Sequence, residues 1–195
     1  MSEIEDLEFV FAAWKAGEYQ RVVARGSSVI ASGANASSIV MLYAGALVKL
    51  DRALDAREAF KLALRLLPTS RHRRIYNALA ALELHADRYT AAEEYCRLAI
   101  TLAPDHASAY IYLGVCYMST DRIAEAEIQF TRATTCTDGA IDEAWYNLGR
   151  AQSVLGRTRE AEISYRRALE IDPEYETALE ELAALKRRGA RALDA

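Results

Sequence analysis

Between Trp145 and Pro173, large and small side chains fall at fixed offsets: Trp145, Leu148, Gly149, Gly156, Ala161, Tyr165, Ala168 and Pro173. The same order recurs upstream every 34 to 36 residues, in units that open at Glu3, Ser37, Arg73, Ala107 and Asp142. A period of this length marks a chain made by stacking one supersecondary unit on the next, because a single unit cannot bury its own apolar face. Within each unit the apolar spacing is helical. The three prolines, Pro68, Pro104 and Pro173, stand where a second helix has to stop. Proline has no N–H to give and pushes the residue before it out of the helical region.

The first unit is the most irregular. Ser2 and Glu5 form a capping-box pair ahead of its first helix, and Gly17-Glu18-Tyr19 matches the turn between paired helices. Val22, Gly26 and Val29 stand where later units carry Ala, an aromatic and Ala. The second unit has Asp51-Arg52 at its turn, then Ala56, Phe60, Ala63 and Pro68, but Tyr43-Ala44 in place of Leu-Gly. The third carries Tyr76, Leu79-Ala80, Asp87-Arg88-Tyr89, Ala92, Cys96, Ala99 and Pro104, and the fourth Tyr110, Leu113-Gly114, Asp121-Arg122, Ala126, Phe130 and Ala133. The fourth then departs: Thr134 to Gly139 replaces the usual run to proline, which predicts a looser helix end and a turn at Asp138-Gly139. Beyond Pro173, Ala178, Leu179, Leu182 and Leu185 recur at helical spacing opposite a charged face, as a solvent-facing closing helix requires.

Trp-x-x-Leu-Gly followed by Gly, Ala, an aromatic, Ala and Pro resembles the tetratricopeptide repeat (TPR) family. The likeness is strong from Arg73 to Pro173 and weak before Ser37. It implies an all-α fold: a right-handed solenoid of about five helix-turn-helix repeats, over residues 3–36, 37–72, 73–106, 107–141 and 142–175, with a capping helix over 176–188. These are expected to form one domain over 1–189, with a flexible tail over 190–195. Small residues at Gly114, Gly149, Ala56, Ala92, Ala126 and Ala161 would let helix backbones approach, while Tyr76, Tyr110, Trp145, Phe60, Phe130 and Tyr165 fill the space between pairs.

Several function classes are disfavoured. Net charge is −4 and the isoelectric point about 5.5, against the basic footprint of a nucleic-acid binder. The three cysteines, Cys96, Cys116 and Cys136, sit in helical patterns without close pairs, which suits neither a disulfide framework nor zinc. The N-terminus is acidic rather than signal-like, and no apolar run approaches the ~18 residues of a membrane span. A cytoplasmic protein without membrane insertion is expected. No phosphate loop, nucleophile elbow or His-Glu-x-x-His is present, and His72, His85 and His106 fall near helix ends. No catalytic residue, cofactor or metal site is expected, and no enzyme.

Solenoids bind along the surface lined by each unit's first helix. The TPR resemblance places three or four positions of each such helix there: Ile4, Leu7, Phe11 and Trp14; Met41, Gly45 and Val48; Arg74, Asn77, Ala81 and Leu84; Ile111, Val115 and Met118; Tyr146, Arg150 and Ser153. This lining is apolar at the N-terminal end and more polar toward the C-terminal end. Leu7 and Phe11 stand where the family's carboxylate clamp needs Lys and Asn, so that specialisation is not expected. An asparagine ladder is not expected either, since only Asn147 matches it. The spacing of Ile4, Leu7, Phe11 and Trp14 is that of a coiled-coil seam, open to core packing after a two-residue register shift, to groove lining, or to self-association. Arg71, Arg73 and Arg74 cluster at a helix start, where positive charge opposes the helix dipole. They form either a dock for an anionic group or a solvated loop paired with nearby carboxylates.

The reading is a non-catalytic scaffold or adaptor that takes a peptide or partner segment in its groove. Two alternatives stand beside it: a secretion-type chaperone for an aggregation-prone client, and a self-assembling structural protein pairing through the first helix as a homo-oligomer.

Overall fold

The computed structural model describes the backbone over residues 2–193 and the side chains over residues 2–188. The described residues form eleven α-helices: α1 (Glu3–Lys15), α2 (Tyr19–Ala31), α3 (Val40–Lys49), α4 (Ala53–Leu66), α5 (His72–His85), α6 (Tyr89–Leu102), α7 (Ala107–Ser119), α8 (Ile123–Thr134), α9 (Ile141–Val154), α10 (Thr158–Ile171) and α11 (Glu176–Leu193). A short 3-10 turn, Thr69–Arg71, leads into α5. The expected all-α repeat of paired helices is what the chain forms. The segment expected as a tail from Ala190 is helical to Leu193, and its last two residues lie outside the described ones.

Each pair turns in the same way. Gly17, Asp51, Asp87, Asp121 and Gly156 all have φ between 54° and 76°. The next residue's N–H reaches back five residues: Glu18 to the Ala13 carbonyl, Arg52 to Leu47, Arg88 to Glu83, Arg122 to Tyr117 and Arg157 to Gln152, at 2.8–2.9 Å. This 6→1 closure satisfies carbonyls that the first helix would otherwise leave open, and its left-handed residue favours Gly, with Asp tolerated. The second helices end as the prolines dictate: α4, α6 and α10 stop two residues before Pro68, Pro104 and Pro173. At the N-terminus the capping box closes as expected. The Ser2 N–H donates to Glu5 Oε2 (2.7 Å), and the Glu5 N–H to Ser2 Oγ (3.3 Å).

The chain divides into two compact units, Met1–Leu82 and Glu83–Ala195, so the division falls within α5. In the first unit, α1 to α4 pack in sequence and α1 also meets α3. Val10, Val22, Val40, Ala44, Leu47, Ala56 and Phe60 form its core. A buried Asp6 on α1 accepts from Arg25 on α2 (Nε, 2.7 Å), which ties the pair together. Two departures in the sequence prove to be one compensation. A Cβ on Gly26 would lie 2.6 Å from the Tyr43 ring. The aromatic that α2 lacks is supplied from the opposite side, by α3.

In the second unit, α6 to α11 pack in sequence and α7 meets α9. Here glycines serve as sockets for rings of their own hairpin: a Cβ on Gly114 would meet Phe130 at 2.5 Å, and one on Gly149 would meet Tyr165 at 2.6 Å. Close approach is thus between a helix backbone and an aromatic face, and the ring fills its own pair instead of the gap between pairs. The final helix closes the stack, with Leu182 and Leu185 covering Ala161 and Tyr165. Arg122 reaches Glu93 on α6 (3.0 Å) and Arg157 reaches Glu127 on α8 (2.7 Å), a charge link from each turn to the preceding hairpin.

The irregular end of the fourth unit turns back on its own start. The Ala107 N–H donates to the Asp138 carbonyl (2.8 Å), His106 and Asp138 pair as an isolated bridge, and Thr137 donates to Asp105. Gly139, at φ 102°, completes the turn expected at Asp138-Gly139. Cys136 lies just beyond α8 instead of inside a helix, because that helix ends at Thr134.

Candidate functional site

The face offered by the first helices differs between the two units, and the reason lies in how tightly each first helix is enclosed. On α1 the buried residues are Asp6, Val10 and Ala13. They are offset from Ile4, Leu7 and Phe11, which are 70%, 36% and 48% exposed. The stripe therefore points away from the helix's own hairpin, and the two-residue register shift does not occur. Trp14 is half-buried: its ring meets Tyr19 edge-on at 5.3 Å and rests over Gly45, whose added Cβ would lie 2.8 Å from it. It thus bridges α1 and α3, occupying the space that Gly45 leaves. Val48 is exposed and Met41 half-buried on α3.

On α5, Arg74 is exposed and Asn77 half-buried. The Asn77 Oδ1 atom is buried without a hydrogen-bond partner. A buried acceptor left open in this way costs stability unless something donates to it. Arg71 is exposed and Arg73 half-buried. Among the described residues, Arg71, Arg73 and Arg74 form no ion pair. The Nε2 of His72 lies 2.9 Å from the Leu67 carbonyl, across the 3-10 turn that carries Arg71.

In the second unit one expected lining residue is corrected. Ile111, at 1% exposure, belongs to the core. The cause is enclosure: α7 packs against α6, α8 and α9 and buries Tyr110, Leu113, Cys116 and Tyr117 as well. Val115 and Met118 stay half-buried. On α9, Tyr146 is half-buried, its ring centroid 5.1 Å from Tyr175 and 5.9 Å from Tyr165. Arg150 is exposed, with its guanidinium 5.8 Å from the Tyr146 ring and Nη1 donating to Asn147 Oδ1 (3.3 Å). Asn147 itself is buried and donates to the Glu143 backbone carbonyl (2.9 Å).

Glu143 was not among the expected lining residues, although it stands second in the unit that opens at Asp142 and one turn before Tyr146. It is half-buried, and burial first and the Asp142 charge second raise its carboxyl above the usual carboxylate value. Burial, with Glu143 as a further cause, also raises the phenols of Tyr112 and Tyr175, the latter to about 12.

No group of three or more His, Cys, Asp or Glu that could hold a metal occurs among the described residues. None of the described helices is long and apolar enough to cross a membrane.

Comparison with known proteins follows the same repeats. Three tetratricopeptide repeat profiles match, over residues 44–107, 83–137 and 142–175. The chain is 30% identical over 98 residues to Tetratricopeptide repeat protein 8 of Caenorhabditis elegans, a match covering 50% of this chain and 19% of that protein. It is 28% identical over 144 residues to Protein O-mannosyl-transferase TMTC3 of Homo sapiens, covering 67% of this chain and 16% of that protein. The chain thus spans less than a fifth of either relative's length. Among solved structures, it resembles YrrB, described as a TPR protein with an unusual peptide-binding site, at TM-score 0.67 and 19% identity, over 92% of this chain and 91% of that one. It resembles MamA at 0.72 and 19%, over 89% and 93%. The Cut9-Hcn1 hetero-tetramer matches at 0.75 and 16%, over 95% of this chain and 36% of that one. At these identities the shared property is the fold.

Proposed function

The chain belongs to the tetratricopeptide repeat family, and on that premise we propose that it is a non-catalytic protein-interaction scaffold whose first-helix face takes a segment of a partner protein. The observation that carries this reading is the stripe on α1: Ile4, Leu7 and Phe11 stay exposed while the hairpin's core is filled by other residues. Large apolar side chains grouped on one exposed helix face mark a surface made to be covered. Val48 on the adjoining first helix extends it, and Met41 beside it adds a side chain that adapts to varied shapes.

The test is selection of displayed random 12-residue peptides on the full chain, followed by affinity measurement on Phe11→Asp. Burying a phenylalanine-sized anchor contributes roughly 1.5–3 kcal/mol, so the variant should bind selected peptides at least about tenfold more weakly. A selection that enriches no sequence, or a Phe11→Asp variant that binds as well as the parent, overturns the reading.

Self-association is the second reading, and the same stripe favours it, since residues 4, 7 and 11 follow a coiled-coil seam. Light scattering over a hundredfold range of concentration separates the two. A mass that rises with concentration and returns to the monomer in Phe11→Asp supports pairing through α1. A monomer throughout removes it.

A further inference from the structure

The α7–α9 face of the second unit holds a half-buried carboxylate, Glu143, in the first turn of α9. Glu143 accepts from Asn147 through its backbone carbonyl, but no described side chain donates a hydrogen bond to its carboxylate. Asp142, of the same sign, stands beside it in the chain and with burial raises its carboxyl. The nearest cation along α9, Arg150, is seven residues on, about 10 Å along the axis. It is turned instead to Asn147 and the Tyr146 ring. A half-buried acid without a donor or a counter-charge is a cost to the folded chain, and a partner's cation would remove that cost.

The surroundings of Glu143 suit such a cation. Tyr146 lies one turn beyond Glu143 on the same face of α9, and its ring is 5.1 Å from that of Tyr175, tilted by 44°. Tyr112 stands on α7, which packs against α9. Aromatic faces attract ammonium and guanidinium groups, and more strongly when water is partly excluded. A carboxylate and phenol oxygens can both accept from the five N–H groups of an arginine or the three of a lysine.

We propose that Glu143, together with Tyr112, Tyr146 and Tyr175, binds a lysine or arginine side chain presented by the partner segment. The site rests on the proposed peptide-binding function and gives it a chemical preference: a basic residue lying over α9. Glu143 supplies the charge-assisted hydrogen bond, and Tyr146 and Tyr175 hold the aliphatic stem and the face of the cation.

The direct test uses the full chain and a small probe, N-acetyl-arginine amide, with its neutral isostere N-acetyl-citrulline amide as control. NMR resonances of the Glu143 carboxyl and the Tyr146 and Tyr175 rings should shift saturably with the arginine compound. All should shift at least about tenfold more weakly with the citrulline compound, and the two ring signals likewise in Glu143→Gln. Equal response to both compounds, or none to either, overturns the site. Glu143→Gln preserves shape and should melt no lower than the parent. Glu143→Lys gives a second variant, expected to bind the probe no better than Glu143→Gln does. The peptide selection separates this site from the function it rests on. Peptides enriched on the parent chain without a basic residue, and bound unchanged by Glu143→Gln, leave the groove standing and refute the site. A selection that enriches nothing refutes the groove.

Discussion

Gly149→Ala is the substitution whose outcome depends most directly on the packing of the second unit. By helix propensity alone it should stabilise, since alanine is favoured over glycine in a helix interior by about 1 kcal/mol. The structure puts the new methyl 2.6 and 2.7 Å from two ring carbons of Tyr165 and 3.2 Å from the Ala161 carbonyl. Carbon atoms prefer to be about 3.5–4.0 Å apart, so the ring would have to retreat by roughly 1 Å. It has nowhere to go: Tyr165 is 1% exposed, enclosed by Ala161, Leu182 and Leu185 with Tyr146 and Leu169 around them. Forcing a methylene into such a site costs about 1–3 kcal/mol, and with a backbone carbonyl as the second obstacle the upper end applies. Less the propensity gain, the net loss is about 2 kcal/mol, or about 4–8 °C in melting temperature for a chain of this size. Circular dichroism on Gly149→Ala, Tyr165→Leu and the double variant would measure it. The smaller leucine makes room for the methyl, so the double variant should lose at least about 1 kcal/mol less than the two singles added. Gly45→Ala is the control. Its nearest neighbour is the tip of the half-buried Trp14 ring, which can swing outward, so this variant should melt at or above the parent. A Gly149→Ala chain as stable as the parent, or strict additivity in the cycle, would refute the socket argument.

Other outcomes follow from the turns and the charges. Gly156 sits at φ 76° with nothing near its missing Cβ, so Gly156→Ala should destabilise through backbone strain alone, by about 1 kcal/mol in chemical denaturation. Asp121→Gly, at φ 60° in the equivalent turn, should be neutral or gain up to about 1 kcal/mol. Burial and Asp142 raise the Glu143 carboxyl, so the folded chain holds that proton more tightly than the unfolded chain. Its contribution to stability is complete below the ordinary glutamate value, near 4.3, and is lost as pH rises through the raised one. Melting curves between pH 4 and 7 should therefore differ between the parent and Glu143→Gln by this pH-dependent loss, and coincident profiles would refute it. If Arg71, Arg73 and Arg74 meet an anionic part of a bound peptide, Arg73→Ala with Arg74→Ala should flatten the salt dependence of its affinity. An unchanged salt slope removes that role.

How much of this could be read from the chain differs between fold and site. The repeat length, the proline stops, the capping box and the turn at Asp138-Gly139 were legible because each is a local backbone preference with its own residue signature. The use of Asp51, Asp87 and Asp121 at the left-handed turn position was visible only as a recurring Asp-Arg pair. The site was less legible. Projecting fixed positions onto the first helices found Ile4, Leu7 and Phe11 exposed but put buried Ile111 on the same face, because helical phase does not record how many neighbours enclose a helix. Glu143 holds the same position as Ile4 and Arg74 but was not singled out, because a sequence does not display a missing counter-charge.

The order of large and small residues by itself determined that this chain forms paired helices in tandem, since period, turn chemistry and helix stops act within about 35 residues of one another. Tertiary structure decided which partner fills each socket. Gly26 takes its ring from Tyr43 on the next helix, whereas Gly114 and Gly149 take theirs from Phe130 and Tyr165 in their own hairpins. The physical reason is that close packing is satisfied by any ring that reaches the space, from whichever side, and only the three-dimensional arrangement records which ring does so.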